Sequence, residues 1–508
     1  MTSMTDATCE IKSQALLEEF QDILAFVQRA FDDGGTAHAV EKGLWERMLK
    51  LGHDIYQAWL DRFGAGDAGE RLVLDDGREV RRLAELHRRE IRNVFGLFEL
   101  SRAVYGTREG QAIEAVPLDK RLGLPPGKNS YLLQDGDQQM AVEKPFATVS
   151  ASLARILGFR QSVHTLERNQ REMAETVAAF WAERPTPPAE QEGAILVCTA
   201  DGKGVPMRGT ATASEGAKPP STGGMRAGTK KMALLGAVYT VDPFVRTPEQ
   251  VVEALFQDTP VAPLPSRPSP CFKQVRAALQ RDEQDATVPQ VETIFGWMAE
   301  QVRQRHGAGE QPVVLLMDGQ DSLWRAGREF LPEDLAEVTE IRDLLHALGY
   351  LWEAAHLFHP TGSEAARAFV KAQARRLLNG ETTGMIHSLR WLGTHHKLKG
   401  QHRDALERIC GYFHNNAHRM AYDVYLEHGL PIASGVIEGA CRCVVKDRME
   451  RSGMRWVMSG ARAMLDMRCI YLSNLWEEFM AFRIQRESRR LYAGSAANDA
   501  DFSQPLAA

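Results

Sequence analysis

Three acidic residues stand where carboxylates could do metal-assisted chemistry: Asp201 in "LVCTADGKG", Asp318 in "VVLLMDGQ" and Glu438 in "ASGVIEGACRC". Each aspartate closes an apolar run of strand length and is followed by Gly. Glu438 comes four residues after Ser434, a residue type suited to a helix N-cap, which places the glutamate in the first turns of a helix. Two strand-end aspartates and a helical glutamate suit Mg2+, a hard cation that takes carboxylate oxygens at about 2.0–2.1 Å and keeps waters for phosphate. Two such ions, with Mn2+ as a substitute, could activate the attacking oxygen and stabilise the leaving one in phosphodiester chemistry. Blander readings use the same residues. Asp-Gly after a strand is a turn signal, and Glu438 with Arg442 is also a routine i,i+4 ion pair. Against these stands the run Glu438, Arg442, Lys446 at spacing four, a carboxylate followed along one helix face by cations that suit a phosphate backbone. Arg448, Arg451, Arg455 and Trp456 extend it, and residues 442–468 hold seven Lys/Arg against three acids.

Composition bounds what must position these groups. A chain of 508 residues, 44% apolar and 25% charged, has the length of about two to four globular domains. No run approaches the roughly 18 apolar residues of a membrane span, and the N-terminus lacks a basic region followed by an apolar stretch, so a cytoplasmic location is expected. The seven cysteines, at 9, 198, 271, 410, 441, 443 and 469, form no CxxC, which argues against a disulfide framework or a zinc finger. A net charge of -6 does not mark the whole chain as a nucleic-acid binder, so the local clustering of cations decides.

Along the chain, residues 1–65 form an N-terminal helical segment, whose period over 13–63 breaks at "DDGGTAH" and predicts a helical hairpin. Residues 66–115 read as a basic β-hairpin module turning at Gly96, with eight Arg against four Glu over 78–108. Residues 116–183 hold two short amphipathic helices around "LGFRQS", a helix-turn-helix-like segment whose second helix begins near Ser162 and runs through Arg168, with Arg160 in the turn. After the Pro-rich "ERPTPPAEQE", residues 193–360 alternate apolar strands and helices. "TPEQVVEALF" starts a helix with a Thr cap and Pro at its first position, and the stretch after "TPVAPLPSRPSP" reads as helix to Arg305. Residues 361–430 read as a helical insertion, 431–493 as long Arg-rich helices carrying Glu438, and 494–508 as a disordered tail; residues 212–229 read as a low-complexity loop.

"LVCTADGKGVPM", "KKMALLGAVYTVDPFVRTPEQVVEALF", "VVLLMDGQDSLW", "RDLLHALGYLWEAA" and "GLPIASGVIEGACRCVVKDRMERSGMRW" together resemble the successive blocks of the Kra-type family of bacterial insertion-sequence transposases, relatives of the Mutator-like DDE transposases. The likeness runs from roughly residue 70 to 490 in the family's order. It implies an α/β fold: an RNase H-like catalytic core with a helical insertion, preceded by the mainly helical N-terminal region with its β-hairpin module. By resemblance Asp201 lies on the first strand of that core, Asp318 after the fourth, and Glu438 on a helix after the insertion. Asp343 and His346 in "RDLLHALGYLW" match a D-x-x-H block of related transposases. Asp343 therefore rivals Asp318 as the second aspartate; Asp318 is preferred for its apolar strand and Asp-Gly ending, and Asp321 reads as a helix cap. The resemblance further implies a bacterial, DNA-associated protein that cleaves a strand at the element's end and joins the resulting 3′-OH to target DNA. Terminal inverted repeats would be bound by the N-terminal modules, and a homo-oligomer would act on two ends. "LRWLGTHHKLKGQHR" (389–403) reads either as a DNA contact around Trp391 or as a solvated face. A nuclease on the same fold without strand transfer, and an inactive DNA-binding derivative, are the competing functions.

Overall fold

The computed structural model describes residues 2–74, 76–108, 112–208, 230–257, 266–280, 289–306, 311–318, 320–331 and 338–492. The expected loop at 212–229 and tail at 494–508 lie outside them. Two compact units are present, Met1–Thr176 with Glu477–Ala508, and Val177–Trp476.

In the first unit the apolar period at the start of the chain becomes two helices, Thr2–Asp32 and Ala37–Asp61, the second capped by the Thr36 hydroxyl accepting from Ala39 N–H. Strands β1 (Arg71–Val73), β2 (Glu79–Arg82) and β5 (Tyr105–Gly106) form a small antiparallel sheet. Strands β3 (His87–Asn93) and β4 (Gly96–Arg102) form a separate ribbon that turns at Gly96, whose φ of 139° suits only glycine. The arginine excess of this module is largely consumed internally: Arg89 and Arg102 converge on Asp119, Arg82 meets Asp67, and Arg88 meets Glu99. Helices Tyr131–Ala141, Phe146–Leu157 and Val163–Ala174 pack on one another, with Gly158 in the left-handed region at the turn and Ser162 capping the last. One boundary differs from the sequence reading. The final helix, Trp476–Tyr492, belongs with this unit from Glu477 onward rather than with residues 431–476. Its buried Arg483 donates to Gln134 (3.0 Å), and Glu487 accepts from the Tyr131 hydroxyl (2.9 Å). Those partners are some 350 residues away in sequence, so no local pattern announces them.

The second unit is built on a five-stranded sheet in the order β10-β9-β6-β7-β8. The strands are β6 (Ile195–Pro206), β7 (Lys230–Val241), β8 (Cys271–Leu279), β9 (Val313–Met317) and β10 (Val338–Arg342). β6, β7 and β8 run antiparallel in turn, while β9 lies parallel to β6 and β10 parallel to β9. Alternation sorts the side chains. Ile195, Val197, Tyr239, Val314, Leu316 and Ile341 point to one face, which helix Leu344–Phe358 and the helices between Glu364 and Glu427 cover in a single core. Leu196, Cys198, Ala200, Val238, Val313, Leu315 and Met317 point to the other, under helices Gln290–Arg305 and Asp321–Phe330. β8 is the element that the sequence reading missed. "CFKQVRAAL" looks helical by local propensity, and only pairing with β7 makes it a strand. Thr247 and Pro248 start their helix as expected, with a complete capping box to Gln250. No helix among the described residues is long and apolar enough to cross a membrane.

Gly236 on β7 is a close approach of strand and helix: a Cβ there would lie 2.6 Å from both Ile294 Cγ2 and Met298 Cε. Gly236→Val is therefore expected to destabilise the protein by about 1–3 kcal/mol through overpacking, measured as a lowered midpoint in thermal denaturation.

Candidate functional site

The parallel register sets three aspartates in a row. Cys198 pairs with Leu315, and Asp201 and Asp318 each stand three residues beyond those partners. Met317 pairs with Arg342, and Asp318 and Asp343 each stand one residue beyond. Asp201, Asp318 and Asp343 thus occupy one level across β6, β9 and β10, where adjacent strands lie about 4.8 Å apart. Strand parity puts all three on the face of Val197, Leu316 and Ile341. One detail of the sequence reading is corrected. Asp201-Gly202 is no turn, because β6 continues to Pro206 in unbroken register with β7. The change at Asp201 is in burial: residues 195–200 are fully buried, and from Asp201 the strand emerges.

Glu438 arrives on the short helix Gly435–Ala440. Ser434 holds the N-cap position but makes no side-chain cap. Its backbone N–H instead donates to Asp343 Oδ2, while Asp343 Oδ1 accepts from His346 N–H (2.6 Å). The Asp343 N–H in turn donates to Met317 O (3.0 Å). Asp343 is fully buried, with both carboxylate oxygens engaged. It ties the end of β9, the start of helix Leu344–Phe358 and the loop before Glu438 into one joint. Past Ala440 the helix widens into a π-helical turn, Cys441–Lys446, a deformation frequent at functional sites. Buried Arg468 braces it from behind, donating to Val444 O (2.8 Å) and to Cys443 O. Cys441 is hydrogen-bonded to Asp201, and burial followed by that carboxylate's charge pushes its thiol up.

The electrostatics report the convergence. Burial first, then the Asp201 charge, raises the Asp318 carboxyl above the ordinary range; Asp343 adds to the rise, and His346 and Arg342 oppose it. Glu438 is also raised, by burial and then by Asp343, Asp201 and Asp318, with His346 opposing. Arg342 is a buried cation that the sequence reading overlooked. It bonds Tyr412 Oη (3.0 Å) and Asn416 Oδ1 (2.9 Å), and being an arginine on a buried strand is the signal that it carried. The donor chemistry fits a hard divalent cation: three carboxylates from three chain segments, mutually repelling, with Asp318 Oδ1 buried and without a hydrogen-bond partner. They are not closed around a common point, since among the described residues no three His, Cys, Asp or Glu side chains are grouped tightly enough to hold an ion.

The cations divide. Arg442, Lys446 and Arg451 are exposed and Arg455 half-buried, so the Glu438, Arg442, Lys446 stripe faces solvent although it crosses from α- into π-helical geometry. Arg448 and Trp456 do not belong to a DNA-facing set. Arg448 is 1% exposed, lies 5.1 Å over the Trp456 ring, and is lowered to about 9 by burial and by Arg468 and Arg451. Trp456 is buried too, its indole N–H donating to Met449 O (3.0 Å), and its backbone zips onto the end of β6 at Pro206 and Arg208. Arg160 and Arg168, in the first unit, are exposed, Arg168 beside Glu172 at 3.6 Å. Trp391 is exposed and stacked on His395 at 5.0 Å. Asp321 begins its helix without serving as the cap.

No family model and no curated protein matches the chain. Among solved structures it is similar to the Drosophila P element transposase strand transfer complex, with a TM-score of 0.25 and 11% identity, covering 72% of this chain and 85% of that one. At that level the likeness decides neither fold nor activity.

Two outcomes follow from this geometry. Asp343→Ala leaves two buried N–H groups without an acceptor and should cost about 2–4 kcal/mol, with Asp343→Asn, which keeps one acceptor oxygen, costing less by denaturant titration. Asp318→Asn should instead raise the thermal midpoint at pH 7. A carboxyl raised on folding contributes stability below its unfolded value and loses it as pH rises through the folded one, so the difference from wild type should vanish when pH falls below the ordinary carboxylate range.

Proposed function

We propose that this protein is an insertion-sequence transposase of the DDE type, a DNA strand-cleaving and strand-joining enzyme built on an RNase H-like core. The observation that supports the reading is the row of carboxylates at one level of a β10-β9-β6-β7-β8 sheet, with Glu438, from a separate segment, near enough for their charges to act on it. Three strands antiparallel in turn, β6, β7 and β8, with β9 and β10 added parallel, support an RNase H-like core.

Asp201, Asp318 and Glu438 would hold Mg2+, two ions in the full assembly, or Mn2+ in its place. When bound, divalent ions supply an activated water or 3′-OH and stabilise the departing oxygen. The chain's own part is placement and charge. Asp318 and Glu438 repel one another and Asp201 until cations neutralise them, so the free site is poised to bind positive charge. Asp343, with each oxygen already accepting a backbone N–H, is assigned a positioning role, tying the segment before Glu438 to the start of helix Leu344–Phe358. His346, exposed one turn into its helix and near enough to act on Asp318, would be available to a phosphate beside the carboxylates. Arg442, Lys446 and Arg451 would take backbone phosphates next to the site, and Arg160 and Arg168 would contact terminal inverted repeats from the helix-turn-helix-like trio.

The test is a strand-transfer assay with a pre-cleaved terminal repeat, a target plasmid and Mg2+. Wild type should form joined product. Asp201→Asn, Asp318→Asn and Glu438→Gln should each lose at least about 10²–10³-fold in rate while end binding stays within a few-fold. Cleavage without joined product would reassign the protein as a nuclease, and cleavage retained in Asp318→Asn would move the second catalytic role to Asp343. In binding titrations Arg442→Ala and Lys446→Ala should each reduce the salt slope by about one, whereas Arg448→Ala should lower stability and leave that slope unchanged.

A further inference from the structure

The first helix, Thr2–Asp32, carries two apolar stripes rather than one. Ile23 and Phe26 turn toward the second helix of the hairpin. Ile23 is buried there, Phe26 lies so near that a Cβ on Gly43 would come 2.5 Å from its ring, and the Arg47 guanidinium sits 3.8 Å over that ring. On a different face Leu17, Phe20, Leu24, Val27 and Phe31 follow one another at spacings of three and four, and all are exposed, from 40% at Val27 to 82% at Phe31. That spacing is the a/d seam of a coiled coil, whose knobs need holes on another helix. The five side chains offer on the order of 500 Å² of apolar surface, above the roughly 400 Å² that an unpartnered surface tolerates.

We infer that this face seats the same face of a second copy of the chain. The seam is nearly symmetric about Leu24. Antiparallel pairing about a two-fold axis there sets Leu24 on Leu24 of the other copy, Phe20 on Val27 and Leu17 on Phe31, so each ring meets a smaller side chain. Nearest the seam the open flank carries the uncharged Gln21 and Gln28, with Glu18 and Asp32 farther out in the same row. The same flank gives a DNA phosphate or an anionic membrane no cation, and over residues 14–32 the helix has four acids against Arg29 alone. Roughly 1,000 Å² buried by the pair reaches the lower range of specific interfaces. The pairing is isologous and closes on itself as a dimer.

The experiment is light scattering on the full chain at micromolar concentration, nuclease-treated and without added DNA. Wild type is expected to have dimer mass and Leu24→Glu monomer mass, with the variant's circular dichroism unchanged because Leu24 is exposed in the single chain. Leu24→Cys should form an oxidative cross-linked dimer absent from the parent, and a mixture of Leu17→Cys and Phe31→Cys chains should cross-link with one another. A monomeric wild type would overturn the inference, as would a dimer indifferent to Leu24→Glu. Cross-linking through Leu24→Cys without the mixed Leu17–Phe31 product would overturn the antiparallel arrangement. None of these readouts depends on strand transfer, so this inference and the proposed activity stand or fall separately.

Discussion

The second unit depends on one buried carboxylate. Asp343 sits at the point where β10 becomes helix, beside the end of β9, and it accepts from two backbone N–H groups that belong to segments 88 residues apart, His346 and Ser434. A carboxylate in that position is costly to bury and costly to lose, because each N–H that it satisfies would otherwise be an orphan in the core. Its consequence reaches the candidate site. The loop held at Ser434 is the loop that delivers Glu438 to the aspartate row. The D-x-x-H spacing is then a helix cap three residues long, with the aspartate accepting the N–H of the histidine itself.

The site in front of that joint is electrostatically unfavourable in the free protein. Asp318 and Glu438 are both raised, and the Asp318 oxygen without a partner faces like charge rather than a donor. A protein selected for stability alone would relieve this with an arginine or an asparagine. Arg342, a buried cation whose charge bears on Asp318, is committed to Tyr412 and Asn416 instead. Stability forgone at a cluster of carboxylates is the usual mark of a place kept for function. The π-helical turn after Glu438, braced by Arg468, is a second departure from regular structure within one turn of the same residue.

Charge on this chain cannot be judged by counting. The β-hairpin module is rich in arginine, yet Asp67, Asp76, Glu79, Glu99, Glu114 and Asp119 pair with six of its nine arginines. The segment after Glu438 is rich in arginine as well, and there the structure divides the cations between the surface, at Arg442, Lys446 and Arg451, and the interior, at Arg448 and Arg468. An interior arginine is a packing element with a charge that burial opposes. The exposed ones alone are available to a polyanion.

How much could be read before folding depended on the range of the interaction involved. Apolar runs, caps and glycine turns act over a few residues, so β6, β7, β9 and β10, the helix beginning at Pro248, the hairpin at Gly96 and the cap at Ser162 were all legible, as were Asp201, Asp318 and Glu438 as carboxylates in unusual settings. β8 was not, because its strand character comes from β7. Nor was the allegiance of the last helix, whose partners lie at Tyr131 and Gln134. The sequence by itself determined which carboxylates were present and that two of them follow apolar strand-forming runs. Only the tertiary structure decided that Asp201, Asp318 and Asp343 share one level, that Asp343 is committed to two N–H groups while Asp318 is not, and that Arg448 and Trp456 face inward. Register between strands far apart in sequence and burial of a side chain are properties of the whole packed unit, and no local window of residues contains them.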